Sequence, residues 1–198
     1  MKPPQLILFD FDGTLTTRDT MIEFVRFVRG NGRLWWGYLW LMPSLLAYKA
    51  GFLANDRAKV RFLRHHLGGL QQDFLEKKAA EFAATVVPRL LRPAGMNALQ
   101  RHISQGDRVV LVSASLDIWL TDWARSTGIE LICTEGAWRK GRFIGDLATP
   151  NCYGSEKVRR IQDLLDPKEY ARVVAYGDSK GDREMLAFAD EAHFQPFR

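Results

Sequence analysis

Leu6-Ile7-Leu8-Phe9-Asp10-Phe11-Asp12-Gly13-Thr14-Leu15 joins an unbroken apolar run to two acids and a glycine. Four consecutive apolar residues, too few for a helix, read as a strand buried on both faces, which is the situation inside a parallel sheet. The run delivers Asp10 at its carboxyl end. Asp10 and Asp12 alternate around Phe11, so a strict strand would turn them to opposite faces. Gly13 can loosen the backbone and bring both to one ligand.

Outward from this stretch, two further runs have the same form. Arg108-Val109-Val110-Leu111-Val112 ends at Ser113, and Arg172-Val173-Val174-Ala175-Tyr176 ends at Gly177-Asp178. Residues 131–134 and 192–194 are weaker strand candidates. Helical periodicity fills the gaps: Met96, Leu99 and Ile103 share one face before a stop at Gly106, and Leu116, Leu120, Trp123 and Ala124 share another before Gly128. Ser155 is expected to N-cap a helix whose buried stripe is Val158, Ile161 and Leu165. Residues 138–143 read as a small hairpin with Gly141 near its turn.

Alternating strands and helices imply right-handed crossovers. The fold class is therefore α/β, a Rossmann-like doubly wound parallel sheet core with a helical cap inserted after the first strand. The core takes residues 1–17 and 91–198. The cap takes 18–90, where three helical stripes follow one another without a strand: Met21, Phe24, Val25 and Val28; Val60, Leu63 and Leu67; then Leu75, Ala79, Phe82 and Val86. Pro88 and Pro93 close it. In open α/β sheets ligands bind outside the carboxyl ends of the strands, so Asp10, Asp12, Ser113 and Asp178 should converge.

A chain of 198 residues with 46% hydrophobic content can build one good core with an insertion, and disorder is excluded. Cys133 and Cys152 lack metal-ligand spacing and fit free thiols in a reducing compartment. With no signal-peptide pattern at the N-terminus, the expected location is cytoplasmic. The net charge of +5 is uneven: residues 18–93 hold 13 Lys and Arg against 6 Asp and Glu, while the remainder holds 15 against 17. Such a field suits an anionic substrate or a membrane surface, or is an ordinary solvated helix face. No stacking or groove-reading motif accompanies it, so no nucleic-acid partner is expected.

Asp10-Phe11-Asp12-Gly13-Thr14-Leu15 resembles the opening motif of the haloacid dehalogenase-like phosphatases. Ser113 after an apolar strand resembles their second motif, Lys157 at a helix start their third, and Gly177-Asp178-Ser179-Lys180-Gly181-Asp182 their fourth. The order and the cap position are closest to the subclass that contains phosphoserine phosphatases. The resemblance implies a phosphomonoesterase with Mg2+ as cofactor and an aspartyl-phosphate intermediate. Asp10 is then the nucleophile and Asp12 the general acid and base, with Ser113 and Lys157 on the phosphoryl oxygens. Asp10, Asp178 and the backbone carbonyl of Asp12 would hold the metal, which suits a hard cation's demand for oxygen donors. Asp182 would orient the ligands around it, and Thr14 would bond Asp10 or Asp178.

Two positions depart from the pattern: Gly181 stands where phosphoserine phosphatases often carry asparagine, and Ser113-Ala114-Ser115 where they carry serine and glycines. Asp19 sits where those enzymes place a glutamate for the substrate's amino group, though it also reads as a helix N-terminal residue. Arg57 and Arg61 are candidates for a substrate carboxylate or second phosphate. The expected partner is a small phosphorylated substrate; a non-catalytic, phosphate-responsive module is the alternative outside enzymes. A third reading, a phospholipid headgroup phosphatase of the phosphatidylglycerophosphate type, comes from the run around Trp35, Trp36 and Trp40. The resemblance extends to a bacterial lipid-phosphate phosphatase with an apolar insert there, which implies peripheral membrane contact through the cap. An exposed aromatic cluster of this size is an aggregation liability, so the expectation is burial in a helix pair broken at Pro43.

Overall fold

The computed structural model describes residues 4–49 and 55–198, without the side chains of residues 38, 40, 41, 43–45, 47–49 and 55. Strands β1 (Leu6–Phe9), β2 (Arg108–Leu116), β3 (Glu130–Thr134), β6 (Val173–Gly177) and β7 (Glu191–Phe194) form one sheet in the order β3-β2-β1-β6-β7. Every neighbouring pair is parallel. Strand alternation splits the core into two layers. Ile7, Phe9, Val109, Leu111, Val174 and Tyr176 face one cluster with α5 (Pro93–Ser104) and α6 (Asp117–Thr127). Leu6, Leu8, Val110, Val112, Val173 and Ala175 face the other, with α7 (Ser155–Leu164) and α8 (Arg183–Phe188). Helices on both faces make the sheet doubly wound, as the sequence predicts.

Local details differ from expectation in two places. Gly154, at φ 62°, is the N-cap of α7, and Ser155 is its first helical residue without a side-chain cap. The chain turns there through a conformation that glycine alone adopts cheaply, which displaces the expected serine cap by one position. Strand β2 runs past Ser113 to Leu116, with a break in its register against β3 between those residues. The hairpin is β4 (Gly136–Arg139) with β5 (Arg142–Leu147), and its turn residues Lys140 and Gly141 both have positive φ.

The insertion leaves and returns through a narrow neck. Thr16 and Leu91 form an antiparallel bridge, Thr17 N–H donates to Leu90 O at 2.8 Å, and Arg92 N–H to Leu15 O at 2.7 Å. Between them lie α1 (Thr20–Lys49), α2 (Asn55–His66), α3 (Gln72–Thr85) and the short α4 (Val87–Leu90). The helices do not build a separate core: Phe24 of α1 stacks on Trp119 of α6 with ring centroids 5.2 Å apart and meets Phe82 of α3 at 5.3 Å. The hairpin props the other side, with Gly69 N–H on Phe143 O at 2.7 Å and Phe143 N–H on Leu70 O at 3.0 Å. A Cβ on Gly145 would lie 2.2 Å from the Arg64 Cα, so this approach requires glycine.

The aromatic run is not buried as expected. Trp35 and Trp36 are 68% and 71% exposed, and Leu39, Met42 and Leu46 are exposed with them; the side chain of Trp40 lies outside the described residues. Helix α1 is broken at Gly30, where φ is 77°, and stays helical through Pro43. The reason is helical geometry: Leu34 and Gly37 face inward, Gly37 against the His66 ring, which turns the 35, 39, 42 and 46 row to solvent. Phe24→Ala should therefore lower unfolding free energy by about 3–5 kcal/mol, while Trp36→Ala should change it by less than about 0.5 kcal/mol. Chemical denaturation of both variants checks this, and equal losses would contradict it.

Candidate active site

Strand β1 stops at Phe9, and after Asp10 the five residues Phe11–Leu15 wrap into a tight turn closed by Thr16 N–H on Phe11 O at 3.0 Å. Asp12 thus lies beyond the strand, which releases it from the alternation that would oppose it to Asp10. Gly13 turns at φ 84°, and a Cβ there would come within 2.4 Å of Asp178 Oδ2, so no larger residue fits.

Asp10 is buried at the strand end. Its Oδ1 accepts from Lys157 Nζ at 2.7 Å and its Oδ2 from Thr14 Oγ1 at 3.0 Å. Burial pushes its carboxyl up to about 7, against the pull of the Lys157 ammonium. Lys157, on the first turn of α7, is wholly buried and also donates to Asp182 Oδ1 at 2.6 Å and Val112 O at 2.7 Å. Burial works against its charge, yet Asp10 and Asp182 outweigh it and hold the ammonium above its ordinary range.

Asp182 is occupied by protein donors on both oxygens. Lys157 takes Oδ1, while Oδ2 accepts from Asp178 N–H at 3.2 Å, Ser179 N–H at 2.9 Å and Ser179 Oγ at 2.8 Å. That role is scaffolding. Asp178 differs: Arg198 donates to its Oδ2, but its Oδ1 is buried with no hydrogen-bond partner among the described residues. Carboxylate oxygens of Asp10, Asp178 and Asp182 lie within 4.8 Å of one another. A buried carboxylate oxygen without a donor, beside a second carboxylate, is a donor set that fits a hard divalent cation.

Asp10, Lys157 and Asp182 line one cavity of about 410 Å³ beneath the cap, together with Asp12, Asp19, Ser113, Ser115, Lys59, Asn151 and Tyr153, while Asp178 stands beside Asp10 and Asp182 outside that lining. Its apolar wall is Met21, Ile22 and Phe62. Ser113 is buried, and its Oγ accepts from Ser115 N–H at 3.0 Å. Asp19 caps α1, its Oδ1 accepting from Met21 N–H at 2.9 Å and Ile22 N–H at 3.2 Å, so the helix-terminal reading holds while the residue also borders the cavity.

The cap arginines do not enter. Arg57 and Arg61 are exposed on the outer side of α2 and stand outside the cavity lining. Half a helical turn away, Lys59 points inward, is buried, and donates to Ala114 O and, at 2.7 Å, to Asn151 Oδ1. Burial lowers its ammonium to about 8 against the pull of Asp12, Asp19 and Asp56. Sequence reasoning missed Lys59, although the inward row of Phe62, Leu63 and His66 at helical spacing marks its face. It also missed Tyr153. A Cβ on Gly181 would lie 2.4 Å from the Tyr153 ring, so this ring fills the space that a side chain at 181 would take.

A family model for haloacid dehalogenase-like hydrolases matches residues 7–187. Protein CicA of Caulobacter vibrioides is 36% identical over 203 residues, covering 98% of this chain and 87% of that protein. Among solved structures, a protein of unknown function from Bordetella pertussis Tohama I superposes with a TM-score of 0.83 at 24% identity, over 95% of this chain and 88% of that one. A phosphoserine phosphatase solved as a phospho-aspartyl intermediate analogue gives 0.69 at 20% identity, over 95% and 84%. With the match running through β1, β2, α7 and β6, the strands and helix that carry Asp10, Ser113, Lys157 and Asp178, the chain belongs to the haloacid dehalogenase-like hydrolases.

Proposed function

We propose that this phosphatase is a Mg2+-dependent phosphomonoesterase that works through an aspartyl-phosphate on Asp10 and takes a small phosphorylated metabolite, as phosphoserine phosphatases do. The observation that carries the reading is the buried Asp10 carboxylate, held at 2.7 Å by Lys157 and opening onto the cavity, with Asp178, whose Oδ1 has no partner among the described residues, beside it. Asp10 and Asp178, with the Asp12 backbone carbonyl that the family resemblance adds, would hold the cation. When bound, Mg2+ offsets the mutual repulsion of carboxylate and phosphoryl group.

The chain's own residues supply the remaining steps. An Asp10 oxygen attacks phosphorus while the ester oxygen departs and takes a proton from Asp12. Asp12, now a carboxylate, removes a proton from water as that water attacks the phosphorus of the aspartyl-phosphate. Phosphate leaves and Asp10 is regenerated. Ser113 donates to a phosphoryl oxygen, and the Lys157 charge favours the extra negative charge of the transition state. All three of the Lys157 donors are bonded to the protein, so it acts as a fixed point charge. A complete acid, base and nucleophile set weighs against a non-catalytic phosphate-responsive module. Two buried, unbridged cysteines support the cytoplasmic location.

A second reading, a phospholipid headgroup phosphatase resting on a membrane surface, is favoured by one observation. The exposed row Trp35, Leu39, Met42 and Leu46, with Trp36 beside it, lies on the cap that carries the chain's positive excess. No helix among the described residues is long and apolar enough to cross a membrane. Contact would be interfacial.

Asp10→Asn should fold normally and lose at least about a hundredfold in kcat, since the amide is a poor nucleophile of the same shape. Activity should vanish on chelation and return with Mg2+. Retained turnover in either experiment contradicts the mechanism. For the second reading, wild type should sediment with anionic vesicles less strongly as salt rises, and Trp35→Ala/Trp36→Ala should bind less without a change in melting. Vesicle binding indifferent to both changes would leave the small-metabolite reading alone.

A further inference from the structure

The side chain of Asp12 is pinned at both oxygens. Oδ1 accepts from Thr20 N–H at 2.6 Å, at the amino end of α1, and Oδ2 accepts from Ser115 Oγ at 2.6 Å. Ser115 is buried, two residues beyond Ser113 in β2, and both line the cavity. Behind it, Ser115 Oγ lies 3.4 Å from Thr20 Oγ1, which in turn accepts from Trp119 Nε1 at 3.2 Å. The carbonyl between the two serines, that of Ala114, accepts from Lys59 and from Thr134 Oγ1 at 2.8 Å, which fixes the backbone that carries the Ser115 hydroxyl.

The partners of Asp12 differ in kind. A backbone N–H can only donate, so the Thr20 contact holds Oδ1 as an acceptor. A hydroxyl can donate and accept. Ser115 donates to the Asp12 carboxylate, with the Thr20 hydroxyl hydrogen turned toward Ser115. Each Asp12 oxygen has a second lone pair, and Asp12 lines the cavity, so the catalytic proton can sit on the cavity side while Thr20 N–H and Ser115 Oγ keep their bonds to the carboxyl. Thr20 Oγ1 has lone pairs to accept from the indole, which only donates, while its own hydrogen stays on Ser115. The carboxyl therefore keeps one orientation while it alternates between acid and base.

We infer that Ser115 is a positioning residue for Asp12, holding the acid and base in one geometry through both halves of the reaction, with Thr20 and Trp119 as its support. This rests on the aspartyl-phosphate reading. The test compares an alkyl phosphate such as β-glycerophosphate, whose leaving oxygen needs a proton, with p-nitrophenyl phosphate, whose leaving group departs without one. In full-length Ser115→Ala, kcat/KM for the alkyl ester should fall by about 100-fold, the lower end of what general acid catalysis contributes. For the aryl ester kcat/KM should stay within about threefold of wild type. Its kcat should fall, with a burst of nitrophenolate, because hydrolysis of the intermediate needs Asp12 as base.

Ser115→Thr keeps the hydroxyl and should recover most of the loss. Thr20→Val keeps its N–H but removes the supporting hydroxyl; it should show the same split, smaller in size, and serves if Ser115→Ala fails to fold. Equal losses of kcat/KM on both esters without a burst would overturn the inference and leave the proposed mechanism standing. Wild type that forms no phosphoenzyme, or Asp10→Asn that keeps turning over, would instead sink the mechanism and the inference with it.

Discussion

The site depends on one buried cation. The Lys157 ammonium sits in the core with all three donors used: Asp10 from the end of β1, Asp182 from the loop after β6, and the Val112 carbonyl of β2. Burying a charge without partners costs several kcal/mol, and removing one partner of a buried pair strands the other. Helix α7 is therefore tied to three neighbouring strands of the sheet through one atom. Position propagates from there. Asp182, fixed by Lys157, takes the backbone N–H groups of Asp178 and Ser179, which sets the turn carrying Asp178. The turn closes so tightly that a Cβ on Gly177 would come within 2.6 Å of the Asp182 Cβ. Asp10, Asp178 and their shared gap follow from satisfying that ammonium.

A second set of constraints comes from the cap. Because Phe24 and Phe82 join Trp119 in one cluster, α1 and α3 share a single packed core with α6. This seats Thr20 N–H against Asp12 and delivers Lys59 to the turn after Ser113. The proposed nucleophile belongs to the core alone, whereas the proposed acid is gripped from core and cap together. An insertion that looked in sequence like a cover over the site thus also shares in its geometry.

Much of this was legible in the sequence, for a physical reason. Strands buried on both faces leave continuous apolar runs, and each of the three strong runs ends in the polar residue that the sheet then presents at its carboxyl edge: Asp10, Ser113 and Asp178. The hairpin was marked by Gly141 and the helix end by Gly128, both at positive φ. What escaped depended on direction within a helix or on contacts distant in sequence. Lys59, Arg57 and Arg61 are the same kind of residue in one short segment, and only the facing of α2 separates the buried one from the exposed pair. Ser115 was visible as a departure from glycine, but its partner Asp12 lies 103 residues away. The burial expected for Trp35 and Trp36 came from hydrophobicity alone, which cannot tell a core from an exposed face.

The orientation of α2 also divides the positive excess of the cap into two parts with different consequences. Lys59 spends its charge inside, bonded to the Ala114 carbonyl and Asn151 against the acids of the cavity, where burial makes its electrostatic effect strong. Arg57, Arg61 and Arg64 lie on the exposed face of α2, where salt screens their charge, and Arg64 pairs with Asp146 at 2.7 Å. The outer arginines can therefore raise the local concentration of anions over the whole cap without discriminating among them. On the proposed reading, discrimination would fall to the enclosed space, which Met21, Ile22 and Phe62 bound on the apolar wall and Lys59, Asn151 and Tyr153 on the polar side.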